Sequence, residues 1–90
     1  MYTAVYTKQF AKDVKRAQKR GKNLDKFKII AEVLLSGESI DKIHKDHKLV
    51  GNYANRRECH IESDWLLIYK IGQTLMVFER MGSHSDLFKK

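Results

Sequence analysis

Ninety residues carry eighteen Lys and Arg against eleven Asp and Glu, a net charge of +7 with the histidines neutral; a chain this short buries only about 60–65% of the surface its unfolded form exposes, enough for one domain over 1–90 with one sheet and a pair of helices. The lone Cys59 excludes an internal disulfide and suits a reducing cytosol. No apolar run nears the ~18 residues of a membrane span, and Met1 to Tyr6 lacks the order of a signal peptide, so a soluble, cytoplasmic protein is expected.

Tyr2 to Tyr6 alternates around β-favouring residues and predicts a first strand. Thr7 is placed to cap a helix in which Phe10, Ala11, Val14 and Ala17 share one face, while Lys8, Lys12, Lys15, Arg16, Lys19 and Arg20 cover the rest. Gly21 ends it as a residue that tolerates the left-handed conformation. Asn23 caps a second helix with Leu24, Phe27, Ile30, Val33 and Leu34 at helical spacing and Gly37 just beyond; so short a link packs the two as a hairpin. Residues 1–30 hold nine Lys and Arg against Asp13 and Asp25, whereas residues 31–90 hold nine of each sign. The whole excess sits on the first third, which favours a phosphate backbone or an acidic protein partner. The plainer reading is a solvated lysine-rich helix.

Ser39 to His47 shows no sustained period and reads as a connector with at most one helical turn. Leu49 and Val50 before Gly51 predict a short strand, and Asn52 to Asn55 a turn. Arg57 to Glu62 alternates, with Arg57, Cys59 and Ile61 on one side and Glu58, His60 and Glu62 on the other. After the Ser63-Asp64 corner, Trp65 to Ile71 reads as the central strand, Gly72-Gln73 as a tight turn and Leu75 to Met81 as the last strand. Strict alternation there puts Leu75, Val77, Glu79 and Met81 on one face and Met76, Phe78 and Arg80 on the other. The tail from Gly82 is too short for a further domain. The order β-α-α-β-β-β describes an α+β domain: a mostly antiparallel small sheet with an N-terminal helical hairpin packed on one face. Function is expected on the other, partly open face.

His44, His47, His60 and His84 with Cys59 raise a metal site first. Cys59 and His60 are neighbours on a strand and point to opposite faces, and no paired-cysteine or His-Glu-x-x-His motif is present, so neither a metal nor another cofactor is expected. Cys59 reads as a buried small hydrophobe. The alternative is acid–base chemistry on RNA. Attack by the RNA's own 2′-hydroxyl needs a base, an acid for the departing 5′-oxygen and a cation for the phosphorane; imidazole serves as either base or acid near neutral pH, and Arg offers a fixed fork to phosphate oxygens. His47, His60, His84 and Arg80 supply that inventory, with Asp64 near enough to orient an imidazole. Trp65 and Phe88 are candidates for stacking on bases, although on composition alone each is more often core.

Three ordered blocks carry a resemblance: Asp46-His47-x-Leu49-x-Gly51, then Arg57-x-x-His60-x-x-x-Asp64-Trp65-x-Leu67-Ile68-Tyr69, then Glu79-Arg80-x-Gly82-x-His84-x-x-Leu87-Phe88. With Phe10 to Val14 and Ala17 to Arg20, they resemble the YafQ branch of the RelE/ParE toxin superfamily over nearly the whole chain. The resemblance implies a RelE-like fold and a toxin of a type II toxin–antitoxin pair, a ribosome-dependent endoribonuclease that cuts mRNA in the ribosomal A site. It implies catalytic roles for His47, His60, Asp64, Arg80 and His84, with His84 the principal proton-transfer residue, Arg80 holding the scissile phosphate, and Trp65, Phe88 and Arg57 on the substrate. It gives Lys8, Lys12, Lys15, Arg16, Lys19 and Arg20 a role against ribosomal RNA, and implies a cognate antitoxin. His44 has no counterpart in these motifs and is expected to be solvated. Arg56 stands where the family has an aromatic, and Lys48 where it has a proline. The competing expectations are a catalytically silent RNA- or ribosome-binding module and a gyrase-directed toxin of the ParE kind.

Overall fold

A computed structural model describes residues 1–88. Its elements are β1 (Thr3–Tyr6), α1 (Lys8–Lys19), α2 (Leu24–Leu35), β2 (His47–Lys48), β3 (Arg57–Glu62), β4 (Trp65–Ile71), β5 (Leu75–Gly82) and α3 (His84–Leu87), with 3-10 turns at Lys42–His44 and Gly51–Tyr53. The strands form one sheet in the order β1-β5-β4-β3-β2. Only β1 and β5 run parallel; the other neighbours are antiparallel. The α+β architecture and the mostly antiparallel sheet therefore stand as expected.

The two long helices begin and end where their chemistry dictates. Thr7 Oγ1 accepts the Phe10 amide and Asn23 Oδ1 the Asp25 amide, each satisfying a donor that the first turn leaves free. At the α1 end Lys22 N–H donates to Ala17 O and Gly21 N–H to Gln18 O, a pair of bonds that requires the left-handed Gly21 (φ +76°). Phe10, Ala17, Phe27, Ile30, Ala31 and Leu34 pack on Cys59, Ile61, Trp65, Leu67, Tyr69, Met76, Phe78 and Met81 to form the main core. Ala11, expected on the buried face of α1, is exposed, and Asp13 is buried in its stead.

That inversion has a cause at the sheet edge. β1 pairs only with Leu75–Phe78, so the outer edge of β5 is bare beyond that point, and an open edge is a template for unwanted pairing. Thr7, the N-cap of α1, and side chains of α1 take the place of the missing strand. Thr7 N–H donates to Phe78 O, Thr7 Oγ1 to Glu79 O, Asp13 Oδ2 accepts the Met81 amide at 2.9 Å, and Arg16 Nη2 donates to Met81 O at 3.0 Å. A carboxylate is needed on the inner face of α1 because the strand presents an N–H there.

On the opposite face a smaller cluster forms from Leu66, Ile68 and Leu87 with Leu49, Tyr53 and Phe88 against it. One expectation is corrected here. The short strand lies at His47–Lys48, where His47 pairs with Glu58 and Lys48 with Arg57, and not at Leu49–Val50, of which Val50 is exposed. The tail folds into α3, whose Leu87 is pinned on the sheet.

Candidate active site

Two register shifts decide which side chains reach the open face. In β5, Ile68 pairs with Arg80 but the next residue, Tyr69, pairs with Phe78, so Glu79 is an extra residue in the ladder. A bulge reverses the alternation on either side of it. Met81 consequently joins Met76 and Phe78 in the core, and Arg80 lies across from Ile68 of the open-face cluster. Strict alternation, as expected from the sequence, would have put Arg80 with Phe78 under the helices. Arg56 secures the extra residue, its Nε donating to Glu79 Oε1 at 2.7 Å. A second shift in β3, between His60 and Glu62, leaves His60 opposite Leu66 on the open face and turns Glu62 to the helical side. There Lys22 and then Lys26 hydrogen-bond the Glu62 carboxyl at 2.9 and 2.8 Å and hold it below the usual carboxylate range. Glu62 does not share a face with His60.

Four of the five residues expected to be catalytic form one arc across that face, with Glu58 between them. His84 heads α3, and its Nδ1–H donates to Asp64 Oδ1 at 2.6 Å while its backbone N–H donates to the same oxygen at 2.8 Å. These two bonds, the backbone one foremost, keep the Asp64 carboxyl below its ordinary range. With Nδ1 occupied, His84 Nε2 is the nitrogen left for proton transfer, on a side chain 55% exposed. The His60 ring stands edge-on to the His84 ring with centroids 5.8 Å apart. His60 Nε2 lies 3.6 Å and His47 Nε2 3.5 Å from one oxygen of Glu58, a carboxylate only 5% exposed. His47 is oriented from behind by Nδ1–H donating to Lys45 O at 2.7 Å, across a left-handed Lys45. Sequence reading had placed Glu58 on this face without a role; its sign was the i, i+2 spacing to His60 on one strand.

Arg80 is held from the edge. Its Nε and Nη2 donate to Asp13 Oδ2 and Oδ1 at 2.9 and 3.3 Å, which leaves Nη1 outside that pairing. Asp13 was missed altogether, although an acid spaced i+3 from Phe10 and i−4 from Ala17, on the apolar face of a helix otherwise covered in cations, is a readable signal. His44, expected to be solvated, is half-buried, and its Nδ1–H donates to His60 O at 2.7 Å. The carbonyl can only accept, so the tautomer is fixed.

The remaining candidates are dispersed. Trp65 is 2% exposed in the helix-side core, with Lys22 Nζ 5.7 Å from its ring centre, and it has no open face for stacking on a base. Arg57 turns away from the histidines to Asp46, which also accepts the Tyr69 hydroxyl at 2.6 Å. Phe88 is half-buried, edge-on to Tyr53 with centroids 5.5 Å apart, beside α3. Among the α1 cations Lys8, Lys12, Lys15 and Lys19 are exposed, but Arg16 and Arg20 are engaged with Asp86. Among the described residues no group of three or more His, Cys, Asp or Glu is placed to hold a metal ion, and no helix is long and apolar enough to cross a membrane.

A mixed five-stranded sheet, backed by a helical hairpin and bearing exposed imidazoles aligned by carboxylates on its free face, defines a small α+β protein equipped for proton transfer. Residues 2–89 match the family described as a bacterial toxin of type II toxin–antitoxin system, YafQ. The chain belongs to that family, as its three motifs suggested. The mRNA interferase toxin YafQ of Escherichia coli strain K12 is 43% identical over 84 residues, covering 92% of this chain and 91% of the relative. Crystalline YafQ from E. coli strain BL21(DE3) superposes with a TM-score of 0.92 at 39% identity, covering 98% of this chain and 99% of that one. A chain in the crystal structure of the E. coli DinJ-YafQ complex gives 0.91 at 40% identity, covering 98% and 99%.

Proposed function

We propose that this toxin is an mRNA interferase that cuts mRNA in the A site of the translating ribosome, in the cytoplasm, and that a cognate antitoxin holds it silent. In this reading a 2′-hydroxyl attacks the adjacent phosphorus. The O2′–H proton passes to a base, the P–O5′ bond breaks, and an acid protonates O5′, leaving a 2′,3′-cyclic phosphate and a 5′-hydroxyl. The observation that carries it is the arc His47–Glu58–His60–His84–Asp64, which sets two imidazoles beside each other at 5.8 Å, each backed by a carboxylate.

His84 is the acid: its exposed Nε2 faces solvent while Asp64 fixes the ring and stabilises the imidazolium form. His60, less exposed and next to Glu58, is the base, with His47 sharing the same carboxylate. Arg80 brings a permanent charge for the phosphorane through the part of its fork that Asp13 does not occupy. Phe88, half-buried at the rim beside α3, touches a base in this reading. The exposed lysines of α1 meet ribosomal RNA, and an acidic antitoxin segment suits the same charge.

The test is mRNA cleavage on translating ribosomes, with 5′-end mapping of the fragments. His84→Ala is expected to lower cleavage about 10²- to 10⁴-fold with ribosome binding intact. Wild-type protein that binds ribosomes without cutting mRNA would leave a silent binding module, and gyrase inhibition without RNA cleavage would turn the reading toward the ParE side.

A further inference from the structure

His84 is the first residue of α3, a helix of a single turn, and a helix so short has no stability of its own. Something outside must hold it. Its first turn is closed by a capping box: Ser83 Oγ accepts the Asp86 amide at 3.2 Å, and Asp86 Oδ2 accepts the Ser83 amide at 2.9 Å. The same Asp86 carboxylate reaches across to α1. Arg20 grips it with both ends of its fork, Nη1 to Oδ2 at 2.6 Å and Nη2 to Oδ1 at 3.2 Å. Arg16 Nε stands 3.6 Å from Oδ2, while its Nη2 donates to Met81 O and Asp13 Oδ1 at 3.0 Å each. Gly82 lies in the crease between them, where a Cβ would come within 2.7 Å of Arg16 Nη2 and 2.9 Å of Asp86 Cβ. One carboxylate thus shapes the turn that carries His84 and fastens it to the helical hairpin, and Leu87 fastens the far end to Leu66 and Ile68.

We propose that Arg20, Arg16 and Asp86 form a latch that positions His84 for proton transfer, so that Arg16 and Arg20 act through α3 and not as contacts for ribosomal RNA. The proposal rests on the acid–base reading above for its effect on cleavage. A bidentate guanidinium on a carboxylate fixes direction as well as distance, and an error of about 1 Å in a proton-transfer group costs up to ~10²-fold in rate. Arg20 itself is exposed, so its replacement leaves the core intact.

The experiment compares Arg20→Ala, Asp86→Ala, the double variant and Lys12→Ala on translating ribosomes. Each latch variant is expected to lose about 10-fold in kcat with KM for ribosomes nearly unchanged. The double variant should be little worse than Asp86→Ala alone, because the Arg20 contact is already lost once the carboxylate is gone. Arg20→Lys should recover only part of the loss, since an ammonium cannot grip two oxygens. If Arg20→Ala raises KM as Lys12→Ala does while Asp86→Ala leaves kcat intact, Arg20 is an RNA contact and the latch is wrong. Amide exchange in the free protein separates this from the cleavage reading. The Leu87 and Phe88 amides, bonded to Ser83 O and His84 O, should exchange faster in both single variants. Unchanged exchange overturns the latch whatever the RNA does; faster exchange beside a wild-type protein that cuts no mRNA supports the latch and removes the nuclease.

Discussion

Replacing Asp13 is expected to cost this protein more than any change in the histidine arc. Its side chain is fully buried and accepts hydrogen bonds from Met81 N, Arg80 Nε and Nη2, Arg16 Nη2 and Gln9 Nε2. Asp13→Ala strands the Met81 amide, a loss of about 1–3 kcal/mol, and leaves two guanidiniums uncompensated, for which breaking a buried pair costs about 3–5 kcal/mol. Arg80 and Arg16 are 23% and 32% exposed and can turn to water, and Arg16 keeps Asp86, so the two contributions overlap at about 3–4 kcal/mol. A domain of this length holds only about 5–13 kcal/mol in all, and a loss of that size lowers Tm by roughly 12–30 °C. Asp13→Asn keeps one acceptor for Met81 but aims its NH2 at a guanidinium, and should cost about 2 kcal/mol. Urea unfolding followed by the fluorescence of Trp65, the sole and buried tryptophan, measures both. An Asp13→Ala variant within about 1 kcal/mol of the parent, with an unchanged urea slope, would refute the view that α1 side chains stand in for a strand on the β5 edge.

Three further outcomes concern other contacts. Arg20 foremost, helped by Ser83 and Arg16, holds the Asp86 carboxyl well below its usual range, and Asp64 and Glu62 are lowered too. Groups so depressed stabilise the fold above the unfolded carboxylate value of about 4 and cease to do so as pH falls through their folded values. The urea midpoint should therefore drop below about pH 4, less steeply in Asp86→Asn, and a midpoint that rises on acidification contradicts this. His44→Leu should lower cleavage about 10-fold and stability by about 1 kcal/mol, whereas His44→Asn, which keeps an N–H donor near Nδ1, should retain most of both; equal activity of the two variants would deny His44 any part in placing His60. Burial pushes the Cys59 thiol up to about 12, so alkylation near pH 8 should be slow in the folded protein and fast in urea, and rapid labelling of the native state would show the core to be open.

Much of the fold was legible because its signals are local. The β4 limits, the caps at Thr7 and Asn23, the stops at Gly21 and Gly37 and the buried Cys59 were read from neighbouring residues alone. What escaped depends on partners distant in sequence. Nothing near Glu79 announces an extra residue, because its cause lies in Arg56 and in Thr7 on other elements. For that reason Arg80 was grouped with Phe78 and Met81 with Val77, and the separate shift in β3 likewise hid that Glu62 parts from His60. Trp65 looked available because it adjoins Asp64, but β4 alternates, with Trp65, Leu67 and Tyr69 in the core and Leu66 and Ile68 on the other face, so the ring lies inward beside Lys22. Arg16 and Arg20 counted as free charge because Asp86 lies 66 residues beyond Arg20. The histidines and Asp64 were found through chemistry and family motifs, yet their shared anchor, Glu58, gained its place only once β2 and β3 were seen side by side.

Glu79 also constrains how this chain can change over time. Trim one position from the stretch just after Phe78 and every later side chain of β5 swaps direction: Arg80 would be driven beneath Phe10, and Met81 would be left in water. The strand accepts substitution but not a change in length. Tolerated gains and losses of residues belong in the 72–74 hairpin tip, far along β5 from Arg80 and the histidine arc.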